Sequence, residues 1–400
     1  MDRAKLARHY QALAVLLLNT AVLTALVLAV LHCAFPLEDS IWNQNLDGRR
    51  LSQDLVPEHY YLTGAEETRQ IRKTLDDYVL AGHWQVHPWT GLINRQFASG
   101  YLNVDAHGQR ASAVPSSDHA GQPPFEIWAF GGSTLFGWGV SDSYTVPSQL
   151  QAALQDRMSQ RQVRVSNYGV PWYNSSHEVV LFATELRRAS RAPDAVVFLD
   201  GLNDLIHRIH YRTDSPLHRQ LEQAWERRLD DLFAPPPWVR LTPSFPLFRA
   251  ALAFGSPSSS TLGGLPGAEP AQDLEVMIRQ AAKDYLTNRR VATAISREFG
   301  ITPYFMLQPV PMWLNAARDT TVDASYNAFS RLTLSPKTHD LYDLRGALAK
   351  LEPRYAMTVE RTGVHYSDMA GQVLAAAMAD VILGPDASDP TAGPRTRTMP

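Results

Sequence analysis

From about residue 125 the chain alternates short, unbroken apolar runs with longer stretches whose apolar residues recur every three or four positions. The runs at 125–130, 163–168 and 195–200 predict buried strands, and the periodic stretches at 145–157 and 176–189 predict helices between and after them. Further along, 273–299 reads as a helix, 303–307 as a strand, 339–350 as a helix, 355–359 as a strand and 367–383 as a closing helix. Strand–helix alternation of this kind predicts an α/β protein, a parallel sheet covered by helices on both faces. Ligands of such sheets gather at the carboxyl ends of the strands.

Two stretches interrupt the pattern. Residues 36–120 form a lead-in rich in Trp, Tyr and His, with a helix predicted over 66–80. Residues 205–272 are too long for a simple loop and combine a charged helical part (218–231), the proline run 235–237 and a Ser/Gly/Pro stretch at 256–270. They read as an insertion in a domain spanning 121–384. The tail at 385–400 has the composition of a disordered segment.

At the other end, 12–35 is almost wholly Leu, Val and Ala, broken by Asn19, Thr20, Thr24 and His32. A stretch of about 24 residues is long enough to cross a bilayer core of roughly 30 Å. It lacks a small-x-small cleavage site, so 1–35 reads as a cytoplasmic start plus an uncleaved transmembrane helix. Arg3, Lys5 and Arg8 precede it, and Glu38 and Asp39 follow it. The positive-inside rule then makes this a single-pass membrane protein with a cytoplasmic N-terminus and a periplasmic or otherwise extracytoplasmic main domain.

Composition narrows the chemistry. The single cysteine, Cys33, rules out an internal disulfide or a cysteine metal cluster, and the His32 before it argues against lipidation. A net charge of −3 without a basic run excludes a nucleic-acid footprint. No cofactor or metal is expected; His207-x-x-His210 has metal-ligand spacing but reads as a solvated helix face.

The ends of the first three predicted strands carry Gly131-Gly132-Ser133-Thr134, Asn167-Tyr168-Gly169 and Gly201-Leu202-Asn203-Asp204; near the end of the chain stands Gly363-Val364-His365-Tyr366-Ser367. Nucleophilic acyl chemistry needs a hydroxyl on a tight turn, donors for an oxyanion, an imidazole to take the proton, and glycines where substrate meets backbone. Ser133 is the candidate nucleophile and His365 the candidate base. A phosphate loop is disfavoured because neither the Walker lysine nor the Gly-x-Gly-x-x-Gly spacing is present. Asn203 and Asp204 also suit the start of a helix. Trp84, Trp89 and Tyr101 read as packing, with sugar stacking as the other option.

These blocks resemble the SGNH/GDSL hydrolases over about 101–383. Gly131-Gly132-Ser133-Thr134 is similar to the family's first block, with Gly132 in place of the aspartate; Gly169 falls at the second-block glycine; Gly201-x-Asn203-Asp204 matches the third; and Val104–Arg110 looks like a lead-in found in polysaccharide-associated relatives. The resemblance implies a flavodoxin-like three-layer sandwich. It also implies an oxyanion hole made by the Ser133 and Gly169 N–H groups and the Asn203 amide. Where the family has an aspartate three residues before the histidine, this chain has Thr362. Glu360 or Asp105 would then be left to orient His365. Asp105-x-His107 favours a plain turn, although in related O-acetyltransferases such a pair supplies the base.

The function implied is a serine esterase removing acyl groups, most plausibly acetyl, from an extracytoplasmic glycan or glycolipid, in company with polysaccharide-assembly partners. Acetyl transfer to a polysaccharide is the close variant. A catalytically weak glycan-binding or assembly subunit is the reading from a different class.

Overall fold

The structure is a computed structural model that describes residues 14–20, 23, 65–113, 123–158, 160–210, 274–310, 320–334, 340–349, 351 and 364–384. They belong to two compact units. In the first, built from 1–47 and 225–271, residues 14–20 are helical, with Leu16, Leu17 and Leu18 exposed. Most of the apolar 12–35 stretch lies outside the described residues, and among those described no helix is long and apolar enough to cross a membrane. The second unit, 48–224 and 272–400, carries the sheet.

Seven strands and eight α-helices are described in it. The lead-in contributes α1 (Ala65–Leu80) and the hairpin β1 (Trp84–His87) and β2 (Gly91–Asn94). The central elements follow as β3 (Phe125–Gly131), α2 (Ser133–Phe136), α3 (Val146–Gln155), β4 (Val163–Gly169), α4 (Ser175–Arg188), β5 (Ala195–Asp200) and α5 (Leu202–His210). After 211–273, which lies outside the described residues, come α6 (Leu274–Glu298), β6 (Thr302–Leu307), α7 (Thr320–Thr333), β7 (Leu341–Asp343) and α8 (Asp368–Leu383).

Five strands form one sheet in the order β4-β3-β5-β6-β7, every pair parallel. This is the flavodoxin-like order, in which the chain reverses direction across the sheet between β3 and β5. Side chains alternate between faces, as period two requires. Ile127, Ala129, Val197, Leu199 and Met306 face α3 and α8, whereas Trp128, Phe130, Val196, Phe198 and Phe305 face α4, α6 and α7. On that second face Phe130, Phe198 and Phe305 stack in a row, with centroids 5.4 and 5.2 Å apart. Each such buried ring contributes about 1.5–3 kcal/mol through removal from water.

The helices start where the sequence supplies caps. Thr145 accepts from the Ser148 N–H before α3, Asn174 from His177 N–H before α4, and Ser367 from Ala370 N–H before α8. Satisfying one otherwise orphaned donor in this way is worth about 1 kcal/mol.

Two expectations are corrected. Within the stretch 339–350, the described residues 340–349 are not helical: they hold the three-residue edge strand β7 followed by turns. Leu341, Leu344 and Leu348 are spaced like one helical face, but here Leu341 packs from a strand and the other two from turns. The insertion does not begin at 205, since α5 continues the third block through 210. The expected strand at 355–359 and the tail at 385–400 lie outside the described residues.

Nor is the lead-in separate from the sheet. Leu75 and Tyr78 of α1, with Leu102 and Val104, form a small core with Phe136 and Trp138, directly behind α2. Tyr78 stacks on Phe136 with centroids 6.0 Å apart.

Candidate active site

The short helix α2 begins at Ser133, one residue beyond the Gly132 N-cap, and ends at Gly137, whose φ of 86° few other residues adopt at low cost. The turn places Ser133 at the carboxyl edge of β3. At the other end of the chain His365 is fixed by its neighbours: Tyr366 is buried and its hydroxyl donates to the Pro309 carbonyl at 2.8 Å, and Ser367 caps α8. The two meet, with His365 Nε2 lying 2.8 Å from Ser133 Oγ. The Trp138 ring flanks the imidazole at 6.0 Å between centroids. Both side chains are half-buried, accessible to substrate yet partly shielded from water.

Across β5, Asn203 reaches back to the same turn. Its Nδ2 donates to the Tyr173 carbonyl at 2.7 Å and lies 2.6 Å from where a Cβ on Gly132 would sit. Any side chain at 132 would collide with that amide, which gives a physical reason for glycine there. The amide carries two hydrogens, so one remains beyond the Tyr173 bond. Asp204 serves the loop: its carboxylate accepts from the Ser175 hydroxyl and, at 3.3 Å, from the Ser175 N–H.

Gly169 does not occupy the role expected of it. Its N–H donates to Asn167 Oδ1 at 2.9 Å, and a Cβ at 169 would strike the Phe136 backbone nitrogen at 2.3 Å. It is the floor on which α2 rests, and its donor is already engaged. The chain then enters a turn, Val170-Pro171-Trp172-Tyr173, closed by the Tyr173 N–H to the Val170 carbonyl at 3.1 Å. Proline second and a positive φ third define type II, in which the third position normally belongs to glycine. Here it is Trp172, with φ 69°, and no other described non-glycine residue has a positive φ. Such a conformation costs a bulky residue about 1–3 kcal/mol. Trp172 is 38% exposed, and its ring stacks on the buried His207 ring, centroids 6.1 Å apart. Sequence reasoning passed over Trp172; the available signal was a Pro-Trp pair in the position of a glycine turn.

The other candidates fall elsewhere. The Asp105 carboxylate accepts from the N–H groups of His107 and Gln109, and the His107 ring contacts Arg188. Arg188 ends α4, about 20 Å of helix from Ser175 at the site end. Asp105-x-His107 is therefore a turn on the outer edge of β4 and is not brought to Ser133. Thr362 and Glu360 lie outside the described residues. His207 is fully buried, so the solvated-face reading fails for it; burial, and secondarily His177, lowers its pKa to about 3. Among the lead-in aromatics Trp84 packs against the sheet core, while Trp89 is exposed beneath the Arg187 guanidinium.

Beneath the site lies a buried acidic group: Asp200 at the end of β5, Asp204, and Glu178 of α4. Burial first, then the charges of Asp200 and Asp204, hold Glu178 well above the usual carboxylate range. Burial and Asp204 raise Asp200 to about 8, and burial raises Asp204 to about 6, against the bonds from Ser175.

No family model matches the chain, and no curated protein does. Several solved structures are similar. A protein of the G-D-S-L lipolytic family from Desulfitobacterium hafniense aligns at 11% identity, TM-score 0.36, over 64% of this chain and 99% of its own. A lipase from a goat rumen metagenome aligns at 10% identity, TM-score 0.40, over 65% and 99%. An acetylxylan esterase from Geobacillus stearothermophilus aligns at 13%, TM-score 0.34, over 63% and 91%. At these scores the likenesses are distant, and the chemistry assigned to the chain rests on the site's own geometry.

Proposed function

We propose that the chain is a serine ester hydrolase that removes acyl groups, acetyl above all, from a glycan or glycolipid. The observation that carries this reading is the 2.8 Å contact between Ser133 Oγ and His365 Nε2, at the carboxyl edge of a parallel sheet and beside the Asn203 amide.

The steps follow from the groups present. With Nε2 unprotonated, His365 takes the Ser133 proton as Oγ attacks the ester carbonyl carbon. Negative charge moves to the carbonyl oxygen, where the remaining Asn203 amide hydrogen and the N–H of Ser133, first residue of α2, are the donors to hand. Collapse breaks the ester C–O bond, and the departing sugar oxygen takes the proton from His365 to leave as the alcohol. Water, deprotonated by His365, then attacks the acyl-serine; the acyl–Oγ bond breaks, His365 returns the proton to Ser133 Oγ, and the carboxylic acid is released. The apolar 12–35 stretch and the basic residues before it support placing this chemistry outside the cytoplasm, tethered to the membrane.

Ser133→Ala and His365→Ala are each expected to lower hydrolysis of a short-chain aryl acetate by several decades, with unchanged circular dichroism. An organophosphonate should add its mass to the wild-type protein and not to Ser133→Ala. Normal turnover in either variant would overturn the assignment.

A further inference from the structure

The strained tryptophan sits between two features of the site. Its chain neighbour Tyr173 offers the carbonyl held by Asn203, next to the Gly132–Ser133 turn. Its ring neighbour is His207, which contacts Asn174 at 3.3 Å. Asn174 in turn lines a cleft of about 220 Å³ between α4, α5 and α6, walled by Asn174, Ser176, Arg208, Asp284, Thr287 and Asn288. Those walls are polar: Arg208 pairs with Asp284 at 2.7 Å, and Asn288 donates to the hydroxyls of Ser175 and Ser176 at 2.8 and 2.9 Å. An acyl chain of any length needs an apolar slot, because each buried CH₂ contributes about 0.8 kcal/mol only where water is excluded by apolar neighbours. A wall of amides, hydroxyls and an ion pair instead matches a ligand with many hydroxyl groups, which form hydrogen bonds of fixed geometry. A flat, partly exposed ring, joined to the cleft through His207 and Asn174, matches the apolar C–H face of a pyranose.

The backbone adds an independent observation. Glycine at 172 would satisfy the type II turn without strain, so the tryptophan stands there at a local cost. Backbone outliers of this kind concentrate where a side chain is needed for function.

We propose that Trp172 and the cleft walled by Asn174, Arg208, Asp284 and Asn288 form a saccharide subsite, which stacks and hydrogen-bonds the sugar whose ester is presented to Ser133. This deepens the hydrolase reading and rests on it for the catalytic step, but the binding can be measured apart from catalysis.

The experiment has two arms. In the first, Ser133→Ala protein and the Ser133→Ala/Trp172→Gly double variant are titrated by calorimetry with a panel of acetylated xylo-, gluco- and manno-oligosaccharides. Binding of at least one member is expected, weakened ten-fold or more by Trp172→Gly. In the second, kcat/KM of wild type, Trp172→Gly and Trp172→Phe is compared for the bound oligosaccharide ester and for 4-nitrophenyl acetate. The ratio of the two is expected to fall about ten-fold in Trp172→Gly and to be held within about three-fold by Trp172→Phe, while the unfolding midpoint of Trp172→Gly does not fall. A ring that merely packs on His207 would lower the midpoint and leave the ratio unchanged, and that result overturns the subsite. So does wild-type hydrolysis of aryl acetate with no binding across the panel. Trp172-dependent binding without turnover of any ester would instead sink the hydrolase reading and leave the subsite standing.

Discussion

Arg110 offers a sharp test of how the nucleophile is held. Its side chain is almost wholly buried, and its guanidinium donates to Asp142 Oδ1 at 2.8 Å and to the carbonyls of Phe136, Gly137 and Val140 at 3.2, 3.1 and 2.9 Å. Two of those carbonyls, Phe136 and Gly137, close α2, the helix that Ser133 opens; the Arg110 N–H also donates to the Asn167 carbonyl on β4. Arg110→Met keeps most of the bulk and removes every side-chain donor. Breaking a buried ion pair from one side costs about 3–5 kcal/mol. Asp142 keeps the Asn103 amide at 2.7 Å and is 17% exposed, so the lower end applies, about 3 kcal/mol. Urea unfolding with linear extrapolation measures this directly. Freed carbonyls should also let α2 shift, and misplacing a reacting group by about 1 Å can cost on the order of a hundred-fold in rate. A kcat loss of at least ten-fold on an aryl acetate is therefore expected even where the protein is fully folded. Asp142→Asn added to Arg110→Met should cost less than the sum of the single changes, by roughly 1–3 kcal/mol of coupling. A stability loss under about 1 kcal/mol, or full kcat in the folded variant, would refute the strut.

Two further outcomes are open to test. Asp200 and Asp204 have folded-state pKa values raised to about 8 and about 6, above the roughly 3.9 of an unfolded aspartate, so the folded protein holds the extra protons. Their stabilising contribution is complete below the unfolded value and is lost as pH rises through about 6 and then about 8. The thermal midpoint should fall from mildly acidic to alkaline pH, and Asp200→Asn should flatten the upper part of that fall; an equally steep profile in the variant would exclude the buried proton. For the membrane reading, a fluorescent protein that matures only in the cytoplasm, fused after 383, should stay dark while an alkaline phosphatase fusion at the same point is active. The reverse pattern would discard the expected topology.

Much of the sheet was legible because buried parallel strands read as continuous apolar runs. Phe125–Gly131, Val163–Gly169 and Ala195–Asp200 fall within one residue of the expected ranges. β7 was misread because three leucines at helical spacing outweighed a strand of only three residues. Helix α7 was missed because Thr, Ser and Asn dilute its pattern, although Val322, Tyr326, Phe329 and Thr333 mark one buried face. Ser133, His365 and Asn203 were found from glycine-marked strand ends, and the structure brings them together. Gly169 was misjudged because composition cannot tell a glycine that exposes its N–H from one that lets another backbone approach. Trp172 breaks the rule that a type II turn is marked by glycine, and Arg110 looked like any charged residue in a polar lead-in.

The 232 residues that separate Ser133 from His365 also set a timetable for synthesis. At roughly 5–20 residues per second, the nucleophile leaves the ribosome on the order of ten to fifty seconds before its base. During that interval β3, β4 and β5 can pair, but the face of the sheet that α8 will cover stays open, with Ile127, Val165 and Leu199 unprotected. The last helix to be made thus both seals that face and delivers the imidazole. On the proposed hydrolase reading, a chain that stops short of it gains no activity, so turnover would report the completion of folding as well as chemistry.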